Sequence, residues 1–573
     1  MQNPYTRGTT DSTEAIDQFI GLDQRERISV GELAHTLNCS SRRYPTLSPR
    51  YERGITEGHP GISCMISKGH LCFIKGNKLY VNFTEVATLP TSTQKRRMVG
   101  MGAYIIVFPD GYYYNTEDSS DKGNIEKTFN VAGSVAYTLC NSQGDGITAT
   151  SSGTAPTNPT DGQYWIDTSV VPNVLKRWSA IYSSWTQIPS TFTKIAYSGI
   201  GSLFDEMDSV TISGSTVVEN GSYAIYHKDS GYIVIPYLLN QVATRTENMT
   251  VKRAMPPMDF VVESGNRLWG CKYGRVGGQT VNEIYASALG NFKVWNRYLG
   301  ISTDSYAASR GSDGPWTGAV NYLGTPIFFK ENTIETVYPS TSGAHEIQAV
   351  NINGTGVAPG AADSIAVVNG VVYYQGVDGF YSYTGSLPKK ISDPLGDHFY
   401  EDSVAGDLAD HYYVCAREGE DYNVFVYQTE LGIWYREDSM QVTSFCRVGS
   451  ELFFTDGVKL YTARATMGTK ETKVGWSATT HDFCYSTPED TNVQRVSVRA
   501  HLEKGATLTI QISYDGSNKF SDVGTITGNG TSRYETYPIV PARCDHFRLR
   551  FVGKGDGCIW SVICKYDKGG VTK

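Results

Sequence analysis

Val371-Val-Tyr-Tyr-Gln-Gly-Val-Asp-Gly-Phe-Tyr381 reads as an aromatic run, an Asp-Gly turn and a second hydrophobic run. Four other stretches repeat that wording: Leu71-Cys-Phe-Ile-Lys-Gly-Asn-Lys-Leu-Tyr80, Tyr104-Ile-Ile-Val-Phe-Pro-Asp-Gly-Tyr-Tyr113, Pro326-Ile-Phe-Phe-Lys-Glu-Asn-Thr-Ile-Glu335 and Leu452-Phe-Phe-Thr-Asp-Gly-Val-Lys-Leu-Tyr461. Gly, Asn and Asp tolerate positive φ, which fits a tight turn to the twist of the two strands it joins. Weaker copies begin near Leu268 and Tyr412, so the later starts fall at 268, 326, 371, 412 and 452. The last three intervals, 45, 41 and 40 residues, have the length of one propeller blade. A lone blade cannot bury its two faces, so such a repeat is stable only when stacked in a closed ring.

Composition agrees. Among 573 residues there are 38 Tyr, 21 Phe, 9 Trp and 59 Gly, and no long apolar stripe at helical spacing. The best helical candidates, around residues 405–411 and 202–208, are single turns at most, and the fold class read from the sequence is all-β. A formal net charge of −8, with no basic cluster beyond Lys95-Arg96-Arg97, argues against sequence-specific nucleic-acid binding. A weakly charged or acidic pore can still pass DNA without gripping it. The opening Met1-Gln-Asn-Pro-Tyr-Thr-Arg lacks an apolar core of signal-peptide length, and no run of about 18 apolar residues exists. Neither a membrane span nor the usual secretory route is therefore expected. Eleven cysteines show no regular spacing, and Cys72, Cys415 and Cys446 fall inside apolar strand patterns. They read as small buried thiols of a protein made in a reducing cytoplasm.

The pattern divides the chain into an N-terminal arm (1–62), a β-propeller of about seven blades (63–470) and a C-terminal β-sandwich (471–573). The arm is expected to lie on, or lead into, the first blade. Between the hairpins at 104 and 268 the spacing is too long for one blade, which predicts an inserted β subdomain over 130–257. Residues 148–190, with Trp165, Trp178 and Trp185, suggest three or four short strands with an aromatic mini-core. Residues 208–236 alternate as strands with turns at Asn220-Gly221 and Asp229-Ser-Gly231. After 470 the period-2 runs Val496–Ala500, Thr507–Tyr514, Phe547–Val552 and Ile559–Ile563 predict the sandwich. Because a propeller closes by combining strands from both ends of the repeat, the arm is expected to pair with the blade around 441–464.

Signatures of enzymes fail one by one. Gly61-Ile-Ser63-Cys-Met65 lacks the closing Gly of a nucleophile elbow, Gly199-Ile-Gly201-Ser-Leu-Phe204 lacks the third Gly of a dinucleotide loop, and His345-Glu346 lacks a second His. The acidic loop Glu117-Asp-Ser-Ser-Asp121 lacks the alternating register of a calcium loop. The sequence therefore leads to the expectation of no enzyme, no catalytic residues, no cofactor and no metal. A candidate interaction surface remains. Trp165, Trp178 and Trp185 could present a stacking platform for sugars, or build the core of a segment that has no other.

Four segments together resemble virion structural proteins of tailed bacteriophages and prophages. Gly21-Leu-Asp-Gln, Gly31-Glu-Leu, Asn38-Cys-Ser-Ser and Tyr44-Pro-Thr-Leu-Ser-Pro-Arg50 are similar to the opening of a phage propeller family of Gram-positive gut bacteria. So are Asn266-Arg-Leu-Trp-Gly-Cys271, Asn282-Glu-Ile-Tyr-Ala-Ser-Ala-Leu-Gly290, Asn291-Phe-Lys-Val-Trp295 and Gly324–Glu335. Asp161-Gly-Gln-Tyr-Trp-Ile-Asp-Thr168 with Trp185 resembles a small module inserted into many phage tail proteins, and Pro541–Arg550 resembles the close of similar proteins. The resemblance implies a virion component of the tail or connector, such as a nozzle, made in the host cytoplasm. Such a component would form a multi-copy ring or collar through arm, propeller and sandwich contacts with itself and with other tail proteins. Genomic DNA would pass without sequence-specific binding. Two other readings stay open: an adhesin for a host glycan or receptor, bound by the insertion or the sandwich, and a glycan-degrading enzyme whose carboxylates a sequence cannot pair.

Overall fold

The computed structural model describes residues 10–484, 491–540 and 542–568; residues 1–9 of the arm, the stretch 485–490, Pro541 and residues 569–573 lie outside them. Seven blades of four antiparallel strands make the ring; blades 1 to 5 are separate four-stranded sheets, blade 6 belongs to a ten-stranded sheet and blade 7 to a five-stranded one. Blade 1 runs from Ile62–Lys68 to Thr84–Thr88 and blade 2 from Arg97–Met101 to Lys122–Asn124. Blade 3 runs from Phe260–Ser264 to Tyr306–Ser309, blade 4 from Gly318–Tyr322 to Glu346–Asn351 and blade 5 from Ala366–Val368 to Lys389–Lys390. Blade 6 spans Glu401–Leu408 to Ile433–Asp438, and blade 7 starts at Ser444–Val448. Every repeat start noted in the sequence lies in the second strand of a blade, because strands two and three form the hairpin. An acidic turn residue often braces that hairpin: the Tyr381 hydroxyl donates to Asp378 (2.5 Å) and Tyr461 to Asp456 (2.9 Å). The stretch 405–411, where the sequence allowed a single turn at most, falls largely in Glu401–Leu408, the inner strand of blade 6, with Ala405 packed toward blade 5 and Val404 and Leu408 toward blade 7. At 202–208 the only helical turn is the short Ile200–Ser202.

Seven hydrophobic clusters join the seven blades pairwise. Phe73 and Leu460 pack between blades 1 and 7, Ile74 and Val107 between 1 and 2, and Ile106 and Leu268 between 2 and 3. Trp269 and Phe328 join 3 to 4, Phe329 and Tyr374 join 4 to 5, Phe380 and Phe425 join 5 to 6, and Val424 and Leu452 join 6 to 7. Between blades 3 and 4, Lys330 is buried with its ammonium 4.3 Å from the Trp316 ring centre and bonded to the Ser312 carbonyl (2.9 Å). Across the axis, Lys95 and Arg97 of blade 2 pair with Asp363 before blade 5, the Arg97 contact being 3.4 Å.

Gly54–Thr56 closes the ring by pairing antiparallel with Leu460–Thr462, as the repeat logic requires. A Cβ on Gly54 would sit 1.8 Å from the Met467 carbonyl, so only glycine fits. The arm leads into the first blade at Ile62 but does not lie on it: the described arm sews blades 6 and 7 to the sandwich. Leu22 pairs with Trp434 of blade 6, and Glu32–Leu37 pairs with Gly475–Thr480 of the sandwich. Thr10–Ile16 pairs with the last strand, Gly557–Lys568. One sheet thus runs from blade 6 through the arm into the sandwich. The second sandwich sheet, built on Thr491–Leu502 and Gly557–Lys568, packs Val496, Val498 and Val562 against Leu508, Ile510 and Phe551, with Phe19 and Leu47 of the arm in the same core. Arg53 is buried between blades, bonded to Asp438 and lying 5.0 Å above the Phe454 ring, while Glu471 accepts from both Arg50 (2.7 Å) and the Arg53 amide (2.9 Å).

Two measurements test the closure. Gly54→Val should destabilise the whole ring by at least about 3 kcal/mol, whereas Gly475→Ala, with open space around its Cβ, should leave the melting temperature unchanged. His35 sits in the arm strand between Arg436 and Arg550, and burial first, then those charges, lowers its pKa to about 4. The unfolded ring binds a proton at its ordinary 6.5, so stability present above that pH is lost as pH falls toward 4. In His35→Gln this part of the acid destabilisation should disappear from thermal melts run across that window.

Candidate functional site

Between blades 2 and 3 the chain leaves the ring and builds a second body. Lys127–Cys140 pairs along its length with Ala243–Arg253 and, at its far end, with Phe192–Ala196. Tyr232–Ile235, Ser209–Ser213 and the segment holding Gly221–Ala224 and His227–Asp229 complete the sheet. Those last two strands sit at opposite edges yet are consecutive in the chain, so one extended segment joins both edges and the sheet closes into a small barrel. Val131, Val135, Tyr137, Ile195, Ile212, Ile233 and Val251 fill it. At its root the Arg253 guanidinium holds Asp208 (2.5 Å), both buried, and donates to the Ile125 carbonyl (2.8 Å). Burial pushes the Asp208 carboxyl up against the pull of that arginine. Ser209 donates to the Asn296 carbonyl (2.9 Å) and Arg297 to that of Met207 (3.2 Å), which ties the barrel to blade 3. It is a fixed outrigger.

The tryptophan segment is inserted in turn between Cys140 and Phe192, at the end of a strand that runs roughly 40 Å away from its root. It forms a four-stranded sheet: Ala149–Ser152, Tyr164–Asp167, Val174–Ser179 and Ser184–Gln187. Side chains alternate between its faces. Ile166 and Leu175 point into the barrel core, so the segment has an apolar face without its tryptophans. Trp165, Trp178 and Trp185 lie together on the other face. Trp185 stands edge-on to Trp165 (5.3 Å) and to Trp178 (5.5 Å), its direct cross-strand partner. Trp165 is buried, its Nε1 donates to the Ser152 carbonyl (3.0 Å), and the Lys176 ammonium covers its ring at 5.0 Å. Lys176 also pairs with Asp167 (2.8 Å), and with Ser169 it holds that carboxyl down to about 2.

The three residues are therefore brought together, but as a mutually supporting ladder instead of a flat platform. Trp165 offers no free face, while Trp178 and Trp185 are half-buried. What the ladder presents is the turn between Trp178 and Trp185, where Ile181 is 88% and Tyr182 is 78% exposed. Val171, on the loop at the other end of the sheet, is 97% exposed. Sequence reasoning missed these, although an Ile-Tyr pair in a position where turns favour Gly, Asn, Asp or Ser was a readable signal.

Similarity to known proteins adds little to this geometry. No family model matches the chain, and no curated protein matches it. Solved structures do. An exo-β-1,3-galactanase of Phanerochaete chrysosporium is 9% identical, covers 53% of this chain and 95% of its own, and has a TM-score of 0.21. A glycoside hydrolase family 43 arabinoxylan arabinofuranohydrolase of Bacillus subtilis is 10% identical over 55% and 95%, with a TM-score of 0.19. Apo AztD of Citrobacter koseri is 8% identical over 86% and 99%, with a TM-score of 0.26. Two of these three are glycoside hydrolases, so the expectation that this chain is no enzyme is corrected and withdrawn. Likeness at these scores assigns the chain no reaction.

Because Trp185 touches both neighbours, Trp185→Ala should loosen the segment by about 2 kcal/mol, seen as roughly 30-fold faster amide exchange over residues 164–187. Tyr182→Ala should leave that exchange unchanged, since the ring packs on nothing that holds the sheet.

Proposed function

We propose that this chain is a structural component of a tailed-bacteriophage virion, present in several copies as a ring or collar in the tail or connector. The observation that carries the reading is the placement of two rigidly rooted bodies on a closed ring. The barrel leaves between blades 2 and 3, and the sandwich continues the sheet of blade 6, on the far side of seven blades. Two different surfaces facing opposite ways are what a head-to-tail arrangement around a symmetry axis needs. The sequence resemblance supports the same reading independently. Head-to-tail contacts around the axis fall mainly to the barrel and the sandwich, because the arm strands Thr10–Ile16, Gly21–Leu22, Glu32–Leu37 and Gly54–Thr56 are paired within the chain. DNA would pass through the centre of the ring of copies, where a chain of net charge −8 offers little grip.

A second reading is favoured by one feature, the exposed Ile181 and Tyr182 at the end of the outrigger. Aromatic and aliphatic tips of this kind anchor recognition of a host protein or glycan. Cryo-electron microscopy of the particle separates the two. A symmetric ring, with the barrel of each copy against the sandwich of the next, is the expected result. Copies on a peripheral appendage with the barrel outward would overturn it in favour of adhesion. In that case Tyr182→Ser should cut adsorption to host cells at least tenfold while particles still assemble.

A further inference from the structure

An outer blade strand directs half of its N–H and C=O groups away from its own sheet, which leaves a template for another strand. Six of the seven outer edges are blunted. Thr469–Lys470 covers Gly54–Thr56 on blade 7, and Gly21–Leu22 covers blade 6. Blades 2, 3 and 5 end in strands of 3, 4 and 2 residues. Blade 1 is broken by a register shift between Glu85 and Ala87, and Lys122 of blade 2 donates to its Val86 carbonyl (3.3 Å). Blade 4 is the exception. Its outer strand Glu346–Asn351 pairs over 6 residues with Thr333–Tyr338, with no register shift, no proline and one charged residue, Glu346. No described strand lies on its other side, and all but Ile347 are exposed.

The direction of its free groups follows from the register. The Ile352 amide donates to the Asn332 carbonyl (2.9 Å), and Val350, Gln348 and Glu346 lie opposite Ile334, Thr336 and Tyr338. Bonding alternates along an antiparallel ladder, so these even-numbered residues bond inward. Ile347, Ala349 and Asn351 therefore point their backbone groups outward.

We propose that this edge pairs with the same edge of a second copy of the chain, antiparallel and centred on Ala349. Outward groups must meet outward groups, which allows a two-fold register with Ala349 facing its counterpart and Ile347 facing that of Asn351. Gln348 then lies beside the counterpart of Val350, and Glu346 beside that of Ile352. No carboxylate meets another, and the smallest side chain of the strand occupies the axis. A surface that is its own complement is the requirement of a two-fold contact. The register supplies about six backbone hydrogen bonds over a small area, so the dimer is weak and populated above about 50 µM. The contact is independent of the virion reading.

Sedimentation velocity of the full chain from about 5 to about 200 µM tests it. The expected result is a dimer that Ala349→Pro weakens at least tenfold with no change in melting temperature, because proline is tolerated where the N–H faces solvent. Val350→Pro, which removes an inward bond, should lower the melting temperature instead. If Ala349→Pro fails to fold, Ala349→Lys places like charges at the axis and should abolish the dimer. A monomer throughout the range overturns the proposal, as does a dimer indifferent to both Ala349 variants. Protection of the 347–351 amides that arises only inside a particle, with the free chain monomeric, would give the edge to another virion component and overturn it equally.

Discussion

Three residues of the arm, Gly54–Thr56, hydrogen-bond to Leu460–Thr462 and make the last blade complete. Everything else in the molecule rests on that closure. Each blade buries its faces only against its two neighbours, so the seven inter-blade clusters form a chain of dependencies that returns to Leu460 and Phe73. An open ring would expose two such faces at once. The closure is also what forces the beginning of the chain to lie beside its end, and the sandwich exploits this. Strands from residues 10–37 and strands beyond 475 share its two sheets. Arm, last blade and sandwich are one cooperative unit.

The same principle, that no sheet edge is left open, explains the insertion. Its seven named strands become a barrel because the segment at 221–229 bridges both edges. A closed barrel with a buried Arg253–Asp208 pair at its root is stiff, and stiffness is what makes an exposed tip useful. Ile181 and Tyr182 are held out from the ring by two successive insertions, with the tryptophan ladder fixing the angle of the last turn. A flexible loop carrying the same two residues would lose much of any contact energy to ordering. Against this background of edges closed by chain crossings, short strands and bulges, the plain edge of blade 4 stands out as the place where the chain does not protect itself.

Much of this was legible beforehand. The Asp-Gly and Asn-bearing hairpins revealed the blades because each copy needs the same turn chemistry and the same alternation. The arm's pairing with the 441–464 blade could be reasoned from topology alone. The 405–411 stretch, read as a single turn at most, is a strand, and the arm leads into the first blade by way of the last blade and the sandwich. Short polar-apolar stretches such as Glu401–Leu408 take their conformation from the sheets they meet, which outweigh local propensity. The three tryptophans were recognised as a group, with a platform and a core of the segment's own as the two readings of their role. Whether a Trp is platform or support depends on which face of its strand is already covered, and here Ile166 and Leu175 cover the other one.

By itself, then, the sequence determined the all-β class, the blade repeat and the turns, because these depend on period-2 alternation and on residues that accept positive φ, both local properties. Tertiary structure alone decided which edges are closed, which tryptophan is buried, where the arm lies and which carbonyls of blade 4 point outward. Those outcomes come from strand register and from long-range pairing such as Leu22 with Trp434, and no window of neighbouring residues contains them.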